Sequence, residues 1–157
     1  MKYSLNLIFV LVLLISCQQD SKELINKNAS LHQNDVLKDN PLLMHPITLA
    51  IQSKDSTMST LYGNEIAFSH VKKNFNSDYP RNAVFYEVTW KQKPDELWFG
   101  ANIPKEIVSI EKITFVGKGE AVYEKYQGKP LKKVQTDKKT EPSRINFIIS
   151  RNRVVSP

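Results

Sequence analysis

Hydrophobic and polar residues alternate along two stretches of this chain, and the alternation predicts β-strands. Successive side chains of a strand point to opposite faces, so this pattern is typical of a sheet with one covered face. The alternating stretches are residues 47–52 and 83–90, and residues 107–116 and 121–128 are predicted as further strands. Residues 96–102 follow a short polar loop and are predicted to pair with residues 83–90 as a hairpin.

The stretch 83–90 divides its side chains most clearly between two faces. A sheet that is covered by helices on one face would bury only one of the two sets. The alternation places Val84, Tyr86, Val88 and Trp90 on one face and Phe85, Glu87 and Thr89 on the other.

Two other stretches have the spacing of amphipathic helices. In residues 54–75 several apolar residues fall at helical intervals, and Ser56 or Thr57 is a candidate N-cap. Gly63 inside this stretch costs a helix about 1 kcal/mol relative to alanine, which favours a break or close packing there. A second helix is predicted from about Pro142, because proline suits a first helical turn. Its apolar stripe would consist of Ile145, Ile148, Ile149 and Val155.

Together these elements predict an α+β fold. We expect an antiparallel β-meander of about four to five strands that is flanked by two helices. The globular domain would occupy residues 46–157. A chain of 157 residues that is 41% hydrophobic fits one such domain, with some length left for a leader and a linker.

The first residues of the chain have a different pattern, that of a secretory signal. Lys2 gives the positive start, and residues 5–15 are apolar except for Asn6, a run too short to span a bilayer. The sequence LISC that ends at Cys17 resembles the bacterial lipobox, in which a small residue precedes a cysteine. We predict that residues 1–16 are removed and that Cys17 carries diacylglyceryl and fatty acyl groups such as palmitate. Several buried acyl chains anchor a protein firmly in a membrane.

Residues 17–45 are predicted to form the lipidated N-terminus and a flexible tether. They are rich in Gln, Asn, Ser, Lys and Asp, with no sustained period. Gln18, and not aspartate, follows the cysteine, which resembles the sorting signal of outer-membrane lipoproteins. Residues 18–23 also resemble the acidic tags of some surface-exposed lipoproteins. We therefore expect a protein of the bacterial cell envelope, anchored in the outer membrane on its periplasmic face or at the cell surface.

The single cysteine also limits the chemistry of the domain. With Cys17 lipidated, the mature chain has no thiol for a disulfide, a thiolate metal site or a nucleophile. Its three histidines lack the spacing of metal ligands, so no metal site is expected. The net charge of +6 is not concentrated in a basic block interleaved with aromatic residues, so the sequence does not predict nucleic-acid binding.

Three segments, taken in order, resemble secreted domains of the cytochrome P-460 family. They are TMSTLYGNEIA at 57–67, YPRNAVFYEVTWKQKPDELWFGANIP at 79–104 and SIEKITF at 109–115. The resemblance covers about residue 46 to the C-terminus and implies a small, mainly antiparallel β domain with helices, often dimeric. Members of the family bind haem covalently through a Cys-x-x-Cys-His sequence near the C-terminus, and some oxidise hydroxylamine.

This chain departs from the family where the haem would be attached. No cysteine or histidine follows Trp98, so the chain has no covalent haem, and the resemblance does not imply hydroxylamine oxidation. A histidine can ligate haem iron without a covalent bond, so His70 and His45 remain candidate haem ligands in an alternative interpretation. The main expectation is a domain without a cofactor.

Five residues form the candidate ligand pocket. Trp90 and Trp98 are large aromatic residues near the predicted hairpin, and a carboxylate such as Glu65 that faces an apolar cavity would have a raised pKa. Tyr62 and His70 complete the set.

No catalytic motif is present in the sequence, and the main expectation is a membrane-anchored module that binds a small apolar ligand or an envelope partner. Two alternatives stay open. One is a redox protein with non-covalent haem, and the other is a structural lipoprotein that docks to another envelope protein or forms a homodimer.

Overall fold

A computed structural model of the protein describes residues 26–73, 78–117 and 119–151. These residues form six strands, two α-helices and two short 3-10 turns, at Lys27–Ala29 and Pro41–Leu43. The helices are α1, Glu65–Lys73, and α2, Glu141–Ser150. The strands are β1 His45–Gln52, β2 Thr57–Gly63, β3 Val84–Pro94, β4 Asn102–Gly117, β5 Glu120–Gln127 and β6 Lys132–Val134.

The six strands form one antiparallel sheet in sequence order, from β1 at one edge to β6 at the other. Every connection therefore joins neighbours, as in a meander. The predicted α+β fold with an antiparallel meander and two helices is confirmed, with a slightly larger number of strands than expected. The additional strands are β2 and the three-residue β6, which replaces part of a predicted polar connection.

The helix predicted across residues 54–75 is wrong in its first half. Residues Thr57–Gly63 form β2, which pairs with β1 on one side and β3 on the other. The helix begins only after Asn64, whose side-chain oxygen accepts a hydrogen bond from the Ala67 amide at 3.0 Å. Asn64, and not Ser56 or Thr57, is thus the N-cap.

Gly63 marks the break between strand and helix. A Cβ atom at this position would lie 2.8 Å from the Ile47 Cδ1 atom and 3.2 Å from the Ala67 Cβ atom. The expected break and the expected close packing are therefore both present at this glycine.

The predicted strand at residues 96–102 is also wrong. Residues 95–101 form the loop between β3 and β4, and the pairing partner of the end of β3 begins at Asn102. Gly100 has a left-handed φ of 82°, which turns the chain out of the extended conformation. The apolar residues of this loop have a composition typical of a strand, but they have no strand pairing partner in the sheet.

Both faces of the sheet are covered, so the expectation that only one set of side chains would be buried is wrong. The alternation in β3 still assigns its residues to the two faces as predicted. Phe85 lies under the helices with Leu61, Ile113 and the α2 residue Ile148. The opposite face carries a second cluster, in which the buried residues are Met58, Tyr86, Val88, Trp90, Ile110, Tyr126 and Leu131.

Residues 26–44 cover this second cluster, and we call them the N-terminal strap. Leu31, Leu37, Leu42 and Met44 of the strap pack against the cluster. The Trp90 indole donates a hydrogen bond to the Ala29 carbonyl at 2.9 Å. The segment from Asn26 to Met44, assigned to a flexible tether by its polar composition, is therefore part of the folded domain, because its few scattered apolar residues fill one face of the sheet.

A buried tyrosine joins the strap to the centre of the sheet. The hydroxyl of Tyr86, which is fully buried, donates a hydrogen bond to Asp39 Oδ2 at 2.7 Å. Lys112 Nζ lies 3.4 Å from the same oxygen. This hydrogen bond, together with Lys112, holds the pKa of Asp39 below its usual range against the opposing effect of burial.

Replacement of Tyr86 by phenylalanine should lower the free energy of unfolding by about 1–2 kcal/mol, because it removes a hydrogen bond to a carboxylate. Urea denaturation measures the change. Asp39→Asn keeps an acceptor oxygen and should cost less than Tyr86→Phe. If the strap were a detached tether, neither substitution would change the unfolding free energy.

Candidate functional site

Two buried carboxylates lie side by side on the helix-covered face of the sheet. Glu87 on β3 and Glu111 on β4 are directly opposite each other in the strand register. Their exposed fractions are 1% and 3%. Like charges at opposed positions repel, and burial makes each charge expensive, so cations must compensate them.

Helix α2 and the residue after it supply those cations. Arg144 binds Glu111 through two hydrogen bonds, Nε to Oε2 at 2.7 Å and Nη2 to Oε1 at 2.8 Å. Its Nη2 atom also donates to Glu87 Oε2 at 3.0 Å. Arg151 donates to the other oxygen of Glu87 and to Ser59 Oγ. Such paired, charge-assisted hydrogen bonds are both strong and specific in direction.

Tyr123 on β5 completes this buried ionic network. Its hydroxyl donates a hydrogen bond to Glu111 Oε2. Burial by itself would raise the pKa of Glu111, but the hydrogen bonds from Arg144 and Tyr123 outweigh it and leave the pKa below its usual range. Glu111 is therefore ionised at neutral pH and fully engaged, which suits a structural anchor for α2 and not an acid–base catalyst.

An apolar cleft opens beside the anchored helix. It lies between α2 and the turn that joins β4 to β5, and its volume is about 470 Å³. Tyr79 and Phe115 form its floor with their rings 4.7 Å apart. The remaining wall consists of Gly119, Glu120, Ala121, Pro142, Ile145, Asn146 and Ile149.

A second, more polar cleft of about 400 Å³ lies against other residues of α2. Arg144 and Tyr123 reach it from the ionic network, and Thr136, Thr140 and Glu141 line its other side. Thr136 donates a hydrogen bond to Glu141 Oε1 at 2.6 Å. The acidic and basic side chains of this second cleft partly pair with each other, so the apolar cleft is the better match for an apolar ligand.

The sequence-predicted pocket residues do not line either cleft. Tyr62 and Trp90 belong to the cluster beneath the N-terminal strap, on the opposite face of the sheet. Trp98 lies on the β3–β4 loop, where 72% of its surface is exposed. The structure thus brings Tyr62 and Trp90 into one cluster and leaves Trp98 apart from them.

Glu65 and His45 meet at the start of α1. His45 Nε2 lies 2.8 Å from Glu65 Oε2, and Ser69 donates a hydrogen bond to Glu65 Oε1 at 2.9 Å. The Glu65 carboxylate lies between the Ser69 hydroxyl and the His45 ring. A serine nucleophile would instead need a direct hydrogen bond to the histidine that activates it. The hydrogen bonds from Ser69 and His45 lower the pKa of Glu65, so it is not the protonated carboxylate of an apolar cavity.

The two candidate haem ligands have neighbours of their own. The His45 ring stacks on Phe68 with 4.5 Å between centroids, and Glu65 engages its Nε2 atom. His70 lies with its ring centroid 5.0 Å from that of Tyr79, which belongs to the floor of the apolar cleft. His70 is the one sequence-predicted residue that adjoins this cleft, through Tyr79.

Several further predictions concern other kinds of site. Cys17 and the predicted signal peptide lie outside the described residues, as does Val155. In the described ranges, no helix has the length and apolar character needed to cross a bilayer. Within the same ranges, no three His, Cys, Asp or Glu side chains converge as a metal site would require.

Of the four charged residues of this network, the sequence patterns point only to Glu87, as a carboxylate within a predicted strand, and not to Glu111, Arg144 or Arg151. Glu111 lies two residues before Ile113 and therefore on the same face of the strand. A charged residue on the same face as an apolar one is the sign in the sequence that could have identified it. The arginines gave no such signal, because α2 approaches the sheet only in the folded chain.

No protein-family model matches this chain, and a search of the curated proteins finds no significant match. The resemblance to the cytochrome P-460 family therefore stays a prediction.

Loss of Arg144 should destabilise the protein strongly. Arg144→Met leaves Glu111 buried without its cation, and breaking a buried pair in this way costs about 3–5 kcal/mol. The double variant Glu111→Gln/Arg144→Met removes the stranded charge and should cost less than Arg144→Met alone. Chemical denaturation of all three variants, Glu111→Gln included, gives the coupling energy.

The exposed Lys138 offers a matched control, because Lys138→Met also removes one positive charge near the start of α2. It should change stability by less than about 0.5 kcal/mol. Additive effects of Glu111→Gln and Arg144→Met would contradict the proposed role of the network.

Proposed function

We propose that this protein is a lipid-anchored binding module of the bacterial envelope, which holds a small apolar molecule in the cleft beside α2. The apolar cleft is the observation that carries this proposal. Ligand sites are concave, mostly apolar and about 300–1,000 Å³ in volume. The cleft has about 470 Å³ and is lined by Phe115, Ile145 and Ile149 with few polar groups.

The construction of the cleft also favours binding. One wall is the β4–β5 turn and the other is α2, which Arg144 fastens to two buried carboxylates. A site with fixed walls loses little conformational freedom when a ligand enters, and preorganisation of this kind increases affinity. The polar atoms at its rim, on Glu120 and Asn146, are suited to orient a ligand with one polar end.

Redox activity with non-covalent haem is the alternative. Only the contact between His70 and Tyr79 brings a candidate ligand near the apolar cleft. The alternative predicts a Soret band when haemin is added, and His70→Ala would abolish it. The binding-module proposal predicts that residues 21–157 fold without a cofactor and are colourless.

Binding at the cleft can be measured with the neutral fluorescent probe N-phenyl-1-naphthylamine. We expect saturable binding of one probe per chain to residues 21–157. Ile149→Ser should weaken it about tenfold, because the loss of one apolar contact side chain corresponds to roughly 1.5 kcal/mol. Fluorescence titration gives the Kd.

Ile66→Ser is the matched control, since Ile66 is an exposed isoleucine on α1 that does not line the cleft. It should leave the Kd unchanged. Equal affinity of the Ile149→Ser variant and the unsubstituted chain would contradict binding at this cleft.

Lipidation at Cys17 is tested separately in the native host. The intact mass of the purified protein should equal that of residues 17–157 plus a diacylglyceryl group and, where the host adds it, a third acyl chain. Cys17→Ser should remove the lipid mass and the incorporation of labelled palmitate. An unmodified mass for the unsubstituted protein would contradict the anchor and leave the cleft unaffected.

A further inference from the structure

Three consecutive large apolar side chains project from the β3–β4 loop. Leu97, Trp98 and Phe99 have exposed fractions of 78%, 72% and 109%. Single exposed apolar residues are common, but a contiguous group of this size marks a surface that contacts a partner or a membrane. We call these three residues the apolar tip.

The backbone of the loop is ordered by its own hydrogen bonds. The Asp95 amide donates to the Ala101 carbonyl at 2.9 Å, and the Asp95 side chain accepts from the Leu97 amide at 2.8 Å. The Ala101 amide donates to the Trp98 carbonyl at 3.1 Å. The loop therefore presents the apolar tip to solvent in a defined conformation.

The hairpin that carries the apolar tip extends beyond the rest of the sheet. The last three residue pairs of β3 and β4 are Gln92–Pro104, Lys93–Ile103 and Pro94–Asn102. Pairing of β2 with β3 stops at Lys91, and pairing of β4 with β5 begins only at Ser109. At about 3.3 Å per residue, the paired part of the hairpin extends roughly 10 Å beyond the end of β2.

The N-terminal strap begins at the base of this same hairpin. The Asn26 side-chain amide donates to the carbonyls of Pro104 and Lys105 at 2.8 and 3.0 Å. Pro104 is two residues beyond Asn102, where β4 begins. The chain that leads back to Cys17 thus departs from the end of the sheet that carries the apolar tip.

The length of that connection limits the distance between the domain and its anchor. Residues 18–25 separate Cys17 from Asn26, and they number eight. However they are arranged, eight residues span at most about 30 Å. A lipid on Cys17 therefore keeps the base of the hairpin within about that distance of the bilayer surface.

We infer that the apolar tip inserts into the interface of the bilayer that holds the lipid anchor, as a second membrane contact. The inference rests on the proposed lipidation of Cys17. Tryptophan, phenylalanine and leucine are the residues that enter the boundary between headgroups and acyl chains. Two attachments at one end of the sheet orient the domain and turn its opposite end away from the membrane.

The charges of the hairpin itself indicate an apolar contact and not attraction to anionic lipid. Within residues 91–106, Lys91, Lys93 and Lys105 are balanced by Asp95, Glu96 and Glu106. With no net charge at the tip, insertion should depend little on anionic headgroups or on salt. A basic surface would show the opposite behaviour.

The experiment uses the natively lipidated protein in phosphatidylcholine vesicles with and without brominated acyl chains, which quench tryptophan on contact. The chain has two tryptophans, and Trp90 is only 4% exposed. We expect quenching and a blue shift of the Trp98 emission. Trp98→Phe keeps the loop apolar and should abolish the quenching, since only Trp90 remains.

Leu97→Ser/Phe99→Ser retains the Trp98 reporter and should reduce its quenching. Leu49→Ser/Ile51→Ser changes two exposed apolar residues on β1 and should have no effect. Quenching should be the same when phosphatidylglycerol is added to the vesicles.

A lipidated chain without quenching would overturn the inference. If in addition Leu97→Ser/Phe99→Ser converted a dimer into a monomer, the tip would contact a second copy instead of lipid. An unmodified mass would overturn the anchor, and the inference with it, before any vesicle is added.

Discussion

The opposed carboxylates of Glu87 and Glu111 are the constraint on which the rest of the structure depends. Neither is tolerable in the interior of a sheet without a cation, because both repulsion and desolvation oppose their burial. Arg144 and Arg151 relieve both costs only when α2 lies across this part of β3 and β4. An apolar stripe alone would permit several positions of the helix, whereas paired hydrogen bonds specify one. The cleft beside α2 exists because the helix is held in that position.

The second face of the sheet is covered by the N-terminal strap, although the polar composition of this segment is typical of a flexible tether. Residues 26–44 are mostly polar, yet Leu31, Leu37, Leu42 and Met44 cover a cluster that would otherwise be exposed. Asp39 and the Ala29 carbonyl satisfy the polar atoms of Tyr86 and Trp90 beneath them. A buried hydroxyl or indole without a partner would be costly, so the strap contributes hydrogen bonds as well as apolar area.

The fold could be predicted from the sequence wherever a local pattern of residues determines the element and the face on which each side chain lies. The strand patterns identified β1, β3, β4 and β5, alternation divided β3 correctly, and Pro142 located the start of α2. The prediction failed at β2, because the apolar residues of β2 and of the helix that follows it fall together at helical spacing and were assigned to one helix. The site was harder to predict, because its ionic network joins distant parts of the chain. Arg144 is separated by 33 positions from Glu111 and by 57 positions from Glu87. No local pattern in α2 shows which carboxylates its arginines will meet.

The two proposed attachments at one end of the sheet would give the proposed binding cleft a direction. The N-terminal strap begins beside Pro104, and the β3–β4 hairpin projects from the same end. The β4–β5 turn forms one wall of the cleft. It lies at the end of the sheet opposite to the apolar tip, because β4 begins beside the tip and runs away from it. A membrane contact at the hairpin would therefore place the cleft on the side of the domain that faces the aqueous compartment. A small apolar molecule would then reach the cleft from water or from another protein, and not directly from the bilayer in which the proposed lipid anchor would lie.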